Sequence, residues 1–312
     1  MKIGIVGTGA MGSVYAALLG DAGNEIWAVD SWAEHVVAMA QNGLTLEGAS
    51  GTRTVKINAT TDAATVGPCN LVIIATKAMD VEVAAKGARA MLGTDTVVLT
   101  IQNGLGSSAK VAAALGVERV VLGVVGGFGA SVIAPGRVHH NGMELVRLGE
   151  MNRPVSDRVE SLAELWRGAG FTVKCFDDMD QLVWEKLICN CAFSASSALT
   201  GWTVGEVIAD KDAWSVARNC ALEAYSVARA RKICLDIDDP IRYVRDFGAN
   251  IPDARPSMLL DHMAGRRSEI DAINGAIPVA ATHVGMKAPV NETVSALVRA
   301  KEKKFMNPSG HE

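Results

Sequence analysis

Apolar and polar residues follow two alternating patterns along the first half of the chain. Short, nearly continuous apolar runs are typical of strands buried on both faces of a parallel sheet. They alternate with Ala-rich helical stretches such as Ser13–Ala22 and Val81–Met91. The strand candidates are Lys2–Val6, Glu25–Val29, Leu71–Ala75, Val97–Ile101 and Val120–Val125. This alternation predicts a doubly wound, mostly parallel α/β sheet.

The next segment has the pattern of a small antiparallel extension. Two segments that look like strands, Arg137–His140 and Met143–Leu148, are separated by Asn141-Gly142. Because Asn-Gly favours the tight turn of a β-hairpin, these segments are predicted to pair with each other. A helix over Val155–Gly168 and a short strand over Thr172–Cys175 would complete the first domain.

From about Asp178 the strand pattern is lost and helical periodicity takes over. The helix candidates are Met179–Leu199, Val204–Asp210, Asp212–Arg231, Asp239–Phe247, Ser257–Ala264, Glu269–Val284 and Glu292–Phe305. The sequence therefore predicts an all-helical C-terminal domain. We expect the first domain to comprise residues 1–177 and the helical domain residues 178–312.

A glycine motif follows the first strand directly and opens a helix. Gly7-Thr8-Gly9-Ala10-Met11-Gly12 fits GxGxxG, the dinucleotide fingerprint of Rossmann-type folds. Gly7 permits the tight turn, Gly9 lets the backbone approach a pyrophosphate, and Gly12 lets helix and strand pack closely. A glycine-rich turn without a ligand is the alternative, which the strand–turn–helix context disfavours.

The residue that ends the second strand bears on the choice of cofactor. Asp30 lies 18 residues beyond Gly12, and the fingerprint expects an acid about 20 residues on. A carboxylate there accepts hydrogen bonds from ribose hydroxyls and repels a 2′-phosphate. No Arg or Lys occurs between Asp30 and Arg53. We therefore expect NAD(H) to be favoured over NADP(H). The alternative is that Asp30 is a solvated carboxylate at the end of a strand.

Composition and charge narrow the class of protein. The 312 residues are 49% hydrophobic and 21% charged, as in folded domains, and the net charge of −4 without a basic run disfavours nucleic acid as a partner. No signal peptide and no apolar stretch of about 20 residues is present, so we expect no membrane association. Six cysteines without CxxC spacing favour reduced thiols in the cytoplasm and no metal site. The apolar content of the helical domain is compatible with a homodimer.

Further motifs follow the fingerprint in a fixed order. They are Thr76-Lys77, Gln102-Asn103-Gly104, Trp184-Glu185-Lys186-Leu187-Ile188-Cys189-Asn190, Pro256-Ser257-Met258-Leu259 with Asp261, Ser268-Glu269-Ile270-Asp271 with Asn274-Gly275, and Ala288-Pro289-Val290-Asn291-Glu292-Thr293. Through their joint occurrence along nearly the whole chain, the sequence resembles the ketopantoate reductase family.

The resemblance implies catalytic roles for Lys186 and Glu269. Asn190, Ser194, Ser257 and Lys77 would bind the substrate, and Lys77 and Asn103 would also contact the cofactor. The residues themselves agree in part, because Lys77 and Asn103 follow predicted parallel strands, where doubly wound sheets bind ligands. Lys186, Asn190 and Ser194 recur every four residues and so share one helix face.

The family reaction is a hydride transfer between a nicotinamide and a 2-oxo acid/2-hydroxy acid pair, such as 2-dehydropantoate and pantoate or a related branched or hydroxylated acid. Lys186 would hydrogen-bond the carbonyl oxygen and donate a proton to it, and Glu269 would hold the lysine or a substrate hydroxyl. Each residue also has a purely structural alternative. Lys186 could be a surface lysine whose aliphatic stem packs on apolar neighbours, and Glu269 could form an ordinary surface ion pair.

The chain departs from the family pattern at three positions. Ser31 stands where the family commonly carries an arginine suited to the NADP phosphate, and Ser194 and Val204 stand where asparagines are expected. The substrate therefore stays open between ketopantoate and a related acid. A preference for NAD would also suit oxidation of a hydroxy acid.

Two other classes of function stay open at this point. A β-hydroxyacid dehydrogenase of the 3-hydroxyisobutyrate type also has a lysine four residues before an asparagine, but it usually shows a Gly-rich stretch before the lysine, which Asp180–Glu185 lacks. A non-catalytic NAD-binding sensor would keep the fingerprint and lose the acid–base residues, whereas Lys186 and Glu269 are present.

Overall fold

The protein consists of two compact units, each with its own apolar core. A computed structural model describes residues 1–127, 129–142 and 145–306. The first unit contains Met1–Gln102 and Ser107–Met179, and the second contains Asn103–Gly106 together with the chain from Asp180 onward. The short loop Asn103–Gly106 thus belongs to the helical unit, although the strand before it belongs to the first unit.

The first unit contains two β-sheets and their connecting helices. Its strands are β1 (Lys2–Val6), β2 (Glu25–Val29), β3 (Leu44–Gly48), β4 (Arg53–Val55), β5 (Asn58–Thr60), β6 (Cys69–Ile74), β7 (Leu92–Thr100), β8 (Val120–Gly126), β9 (Gly129–Ala134), β10 (Arg137–Gly142), β11 (Leu145–Glu150) and β12 (Val173–Cys175). Its helices are α1 (Ala10–Asp21), α2 (Ala33–Asn42), α3 (Val81–Ala88), α4 (Ser107–Leu115) and α5 (Asp157–Gly168).

The larger sheet has the strand order β12-β11-β8-β7-β6-β1-β2-β5. All its pairings are parallel except β11 with β8. The strand order reverses next to β1, whose neighbours are β2 and β6, and doubly wound sheets bind ligands at the carboxyl edge of such a reversal. The predicted doubly wound α/β class is confirmed, and the fingerprint follows β1 directly at this point.

The smaller sheet, with the order β4-β3-β10-β9, covers the other side of α1. Every residue from Gly12 to Leu19 of α1 is buried, because the helix contacts strands of both sheets. A helix enclosed in this way is apolar on all faces, as the sequence of α1 is. The smaller sheet thereby fixes the helix that carries the fingerprint.

The predicted hairpin about Asn141-Gly142 is wrong. β10 pairs with β9 and β3 in the smaller sheet, whereas β11 pairs with β8 and β12 in the larger one. Gly142 lies at the end of β10, opposite Gly129 after an irregularity in register, so Asn-Gly ends a strand here. Met143 and Glu144, which the prediction included, lie outside the described residues.

The described residues of the second unit form helices joined by turns and loops, without a strand, as predicted. Its helices are α6 (Met179–Thr200), α7 (Val204–Ala209), α8 (Lys211–Ala230), α9 (Pro240–Ala249), α10 (Ser257–Met263), α11 (Ala276–Thr282) and α12 (Pro289–Met306). No helix in the described parts of either unit combines the length and apolarity that a membrane span requires.

One predicted helix, Glu269–Val284, is correct only in its second half. Residues 269–275 form successive turns, and regular helix begins at Ala276. The carbonyl of Ala272 accepts a hydrogen bond from Leu105 N at 2.8 Å. The side chain of Asn274 donates to Cys191 O at 2.8 Å and to Asn291 Oδ1 at 2.9 Å. Tertiary hydrogen bonds therefore replace helical ones in a segment with helical periodicity.

Candidate functional site

The three glycines of the fingerprint have different surroundings. Gly7 has a φ of +91°, and a Cβ there would lie 2.5 Å from Thr76 N after β6. A Cβ at Gly12 would overlap the carbonyl oxygen of Gly7, whereas a Cβ at Gly9 would meet no atom within 4 Å. Two glycines are thus required by the fold, and the third faces open space.

The start of α1 presents polar groups that fit an anion. The first helical N–H groups have no carbonyl partner within the helix, and its first turn carries no acidic residue. The hydroxyls of Thr8 and Thr76 are buried without a hydrogen-bond partner among the described residues. A pyrophosphate would satisfy such groups, so the residues present fit a dinucleotide.

Alanine substitutions at these glycines separate folding from binding. Gly12→Ala is expected to lower the free energy of unfolding by about 1–3 kcal/mol, because overpacked sites cost that much. Gly9→Ala should leave the unfolding free energy within about 0.5 kcal/mol of wild type and weaken dinucleotide binding, since its Cβ would enter the space in front of the loop. Urea unfolding and fluorescence titration with NADH measure the two effects. Equal destabilisation by both variants would contradict this assignment.

Asp30 follows β2 and is half-exposed. Its Oδ1 accepts a hydrogen bond from Trp32 N at 3.0 Å, which fixes the carboxylate at the end of the strand. The first Arg or Lys after it in sequence, Arg53, forms an ion pair with Asp21 at 2.6 Å. That guanidinium is therefore already engaged with another carboxylate.

In the second unit, a chain of hydrogen bonds joins three of the predicted site residues. Lys186 Nζ donates to Asn103 Oδ1 at 2.7 Å, and Asn103 Nδ2 donates to Glu269 Oε2 at 3.3 Å. The lysine can only donate and the carboxylate can only accept, which sets the orientation of the amide between them. Lys186 is half-buried and Glu269 is 6% exposed. The arrangement can hold an ammonium group in a fixed place beside a carboxylate.

The loop that carries Asn103 is fixed by close backbone contacts. Gly104 has a φ of +81°, and a Cβ there would overlap the Ala272 carbonyl oxygen, which also accepts from Leu105 N. The turns that interrupt the predicted helix therefore bring the loop of Asn103 against the segment of Glu269.

The segment of Glu269 is also tied to α12. Glu302 Oε1 accepts from Ser268 N at 2.8 Å and from Ser268 Oγ at 2.6 Å, and it lies 3.2 Å from His262 Nε2. Glu302 is buried, so these hydrogen bonds compensate the desolvation of its carboxylate. Sequence reasoning missed Glu302, although its spacing of four residues from Val298, and of eight from Val294, places it on the buried face of α12.

The remaining predicted site residues lie in different surroundings. On α6, Asn190 is half-buried and Ser194 is buried. Ser257 is exposed at the first residue of α10. Lys77 is half-buried just after β6 in the first unit. Val204 is buried at the start of α7 within the apolar core.

Sequence reasoning also missed His35, which contacts the fingerprint. It lies on α2, which follows Asp30 closely, and is fully buried. Its Nε2 is 3.0 Å from the carbonyl oxygen of Thr8. The available signal was a lone histidine shortly after the acid of the second strand.

Comparison with known proteins gives similar chains along the whole length. Residues 3–153 match the family Ketopantoate reductase PanE/ApbA, and residues 178–302 match Ketopantoate reductase PanE/ApbA C terminal. A 2-dehydropantoate 2-reductase of Archaeoglobus fulgidus is 31% identical over 302 residues, which cover 96% of this chain and 98% of that protein.

Solved structures are similar over the same range. The PanE/ApbA family ketopantoate reductase from Ralstonia eutropha JMP134 has a TM-score of 0.90 and 32% identity, covering 98% of this chain and 100% of that one. A D-mandelate dehydrogenase, solved with NADH and anilino(oxo)acetate, has a TM-score of 0.90 and 27% identity, covering 98% of this chain and 99% of its own.

These similarities decide between the classes of function left open by the sequence. The family matches cover both halves of the chain, which favours the ketopantoate reductase type over the 3-hydroxyisobutyrate type. The relatives are enzymes, which argues against a non-catalytic NAD-binding sensor. The resemblance and the reaction class predicted from the sequence are confirmed. The chain belongs to the ketopantoate reductase family and is an NAD(P)-dependent oxidoreductase that acts on CH–OH groups.

Proposed function

We propose that the protein interconverts a 2-oxo acid and a 2-hydroxy acid, with Lys186 as the proton donor and acceptor and NAD(H) as the favoured cofactor. The observation that carries the proposal is the chain of hydrogen bonds from Lys186 through Asn103 to Glu269. An ammonium group held in this way suits a carbonyl oxygen on which negative charge develops.

The cofactor would be held by the first domain, residues 1–177. The fingerprint Gly7–Gly12 would bind the pyrophosphate, and Asp30 would accept hydrogen bonds from the adenosine ribose. Lys77 and Asn103 would contact the nicotinamide side. When bound, the nicotinamide supplies or accepts the hydride.

The proton would be moved by the helical domain, residues 178–312. Lys186 donates a hydrogen bond to the substrate carbonyl oxygen and transfers its proton as the alkoxide forms, and in the reverse direction it accepts that proton. Glu269 and Asn103 keep the ammonium oriented. Asn190, Ser194 and Ser257 would position the acid, with Lys77 attracting its carboxylate.

The substrate has two candidates of different polarity. The curated relatives are 2-dehydropantoate 2-reductases, whose substrate bears a hydroxyl group. Ser194 and Val204, in place of the two expected asparagines, remove amide groups that would bind such a hydroxyl. Both side chains are buried, and the D-mandelate dehydrogenase similarity favours acids with an apolar branched or aromatic substituent as the second candidate.

A panel of acids tests both proposals. Absorbance at the nicotinamide band is followed with 2-dehydropantoate, branched and aromatic 2-oxo acids, and their 2-hydroxy partners, each with NAD(H) and NADP(H). We expect turnover of at least one 2-oxo acid with NADH, and kcat/KM ranks the two substrate classes. Tight NADH binding without turnover of any member would contradict the proposed reaction.

The proposal also includes a cytoplasmic location and a homodimer. All six cysteines are unpaired, which suits the reducing cytoplasm. A homodimer is supported by exposed apolar side chains of the helical unit such as Leu260, Met263 and Leu297. Analytical ultracentrifugation at micromolar concentration tests it.

A further inference from the structure

A buried histidine connects three separate segments of the first unit. His35 is fully buried on α2. Its Nδ1 accepts a hydrogen bond from Gly136 N at 3.0 Å, from the turn between β9 and β10 in the smaller sheet. Its Nε2 lies 3.0 Å from the Thr8 carbonyl oxygen and 3.2 Å from Ser13 Oγ. A residue of α2 thus joins the smaller sheet to the fingerprint.

The partners determine which nitrogen carries the proton. A backbone N–H can only donate, so Nδ1 must offer a lone pair to Gly136. The proton of the neutral ring is therefore on Nε2, which donates to the carbonyl of Thr8. Burial lowers the pKa of His35, which keeps the ring neutral, and this outweighs the opposing effect of the nearby Asp30 charge.

The carbonyl of Thr8 receives a second hydrogen bond. Ser13 Oγ donates to the same oxygen at 2.6 Å, so two donors turn this carbonyl toward the protein interior. In a trans peptide the C=O and the following N–H point in opposite directions. The N–H of Gly9 is consequently aimed away from His35, on the side where a Cβ at Gly9 would meet no atom within 4 Å.

The same histidine also contacts the segment after β2. The ring of Trp32 stacks on the ring of His35, with centroids 5.0 Å apart and an interplanar angle of 10°. Trp32 N donates to Asp30 Oδ1. His35 therefore lies between the acid proposed to bind the ribose and the loop proposed to bind the pyrophosphate.

We propose that His35 is a positioning residue for the dinucleotide, which holds the Thr8–Gly9 peptide so that the Gly9 N–H donates to the cofactor. The proposal rests on the proposed binding of the cofactor at the fingerprint. His35 itself does not touch the cofactor. Its effect is transmitted through the carbonyl of Thr8, and its place is fixed by the smaller sheet through Gly136.

Two substitutions separate the two hydrogen bonds of the ring. Glutamine extends far enough to place an amide N–H near the position of Nε2, so His35→Gln keeps the donor to Thr8. Asparagine is shorter and places its amide oxygen near Nδ1, so His35→Asn keeps the acceptor for Gly136 and loses the donor to Thr8. His140→Gln is the matched control, because His140 is also buried in this unit and its Nδ1 contacts Ser50 Oγ at 3.0 Å.

The readouts are the Kd for NADH by fluorescence titration, and kcat and KM at varied NADH. We expect His35→Asn to raise Kd and KM about tenfold, which corresponds to the free energy of one lost hydrogen bond. The value of kcat at saturating NADH should be unchanged. His35→Gln and His140→Gln should stay within about threefold of wild type. The ¹⁵N spectrum of wild type should show the proton of His35 on Nε2.

The outcomes separate this proposal from the one on which it rests. An unchanged Kd in His35→Asn, or an equal rise in all three variants, would overturn the role of His35. Absence of NADH binding by wild type would overturn the cofactor site itself. If His35→Asn does not fold, Ser13→Ala removes the second donor to Thr8, and we expect a smaller rise in Kd there; no rise would overturn the proposal.

Discussion

Replacing Lys186 by alanine is expected to lower kcat by about two to four powers of ten, the range typical of a lost general acid. The variant removes the ammonium group that lies 2.7 Å from Asn103 Oδ1 and that is the proton donor of the proposed reaction. The Kd for NADH should change much less than kcat, because Asn103 is the one proposed cofactor contact that Lys186 is described as hydrogen-bonding. Steady-state kinetics at saturating substrate and cofactor measure the effect.

A second lysine on the helical unit provides the control. Lys301 Nζ donates to the carbonyl oxygen of Ala198, near the end of the helix that carries Lys186. Lys301→Ala should lower the melting temperature and leave kcat within about threefold, because this lysine caps backbone groups of a helix end. Near-normal kcat in Lys186→Ala would remove this lysine from the mechanism. An equal loss of kcat in both variants would indicate structural damage to the helix.

The strands of the larger sheet were predicted well because a strand buried on both faces is a nearly continuous apolar run in the sequence. β1 and β2 agree residue for residue with the predicted runs. The smaller sheet was not predicted, although most of β10 was predicted as a strand, since β4 has only three residues and β9 alternates between half-buried and exposed residues. The sequence indicated the smaller sheet only through α1. This helix is apolar on every face, so other elements must pack against it on all sides.

The roles of the candidate site residues stay predictions, and only some relations among these residues follow from local spacing. Spacing alone predicts that Lys186 and Asn190 share a helix face. The hydrogen bond between Asn103 and Glu269 joins residues 166 positions apart, a distance over which no pattern of local periodicity extends. The interrupted helix at residues 269–275 shows the same limit, because the carbonyl of Ala272 bonds to a loop that follows a strand in another part of the chain.

The double variant Asp30→Ala with Ser31→Arg is expected to shift the ratio of kcat/KM for NADPH over NADH by about a hundredfold. A carboxylate after β2 opposes a 2′-phosphate, and an arginine supplies a planar, bidentate donor for it. A charge-assisted hydrogen bond contributes roughly 1.5–3 kcal/mol, and 1.4 kcal/mol corresponds to a factor of ten. Arg53, the next arginine in the sequence, is paired with Asp21.

Three further variants test which residue causes the shift in the kcat/KM ratio for NADPH over NADH. Asp30→Ala alone should weaken NADH binding through the lost ribose contact, and Ser31→Arg alone should give a smaller gain for NADPH, because the carboxylate remains. Glu34→Ala removes an exposed negative charge in the first turn of α2 and should leave the ratio unchanged. A shift in Glu34→Ala as large as that of the double variant would mean that net charge, rather than Asp30, sets the preference. An unchanged ratio in the double variant would mean that Asp30 does not contact the ribose.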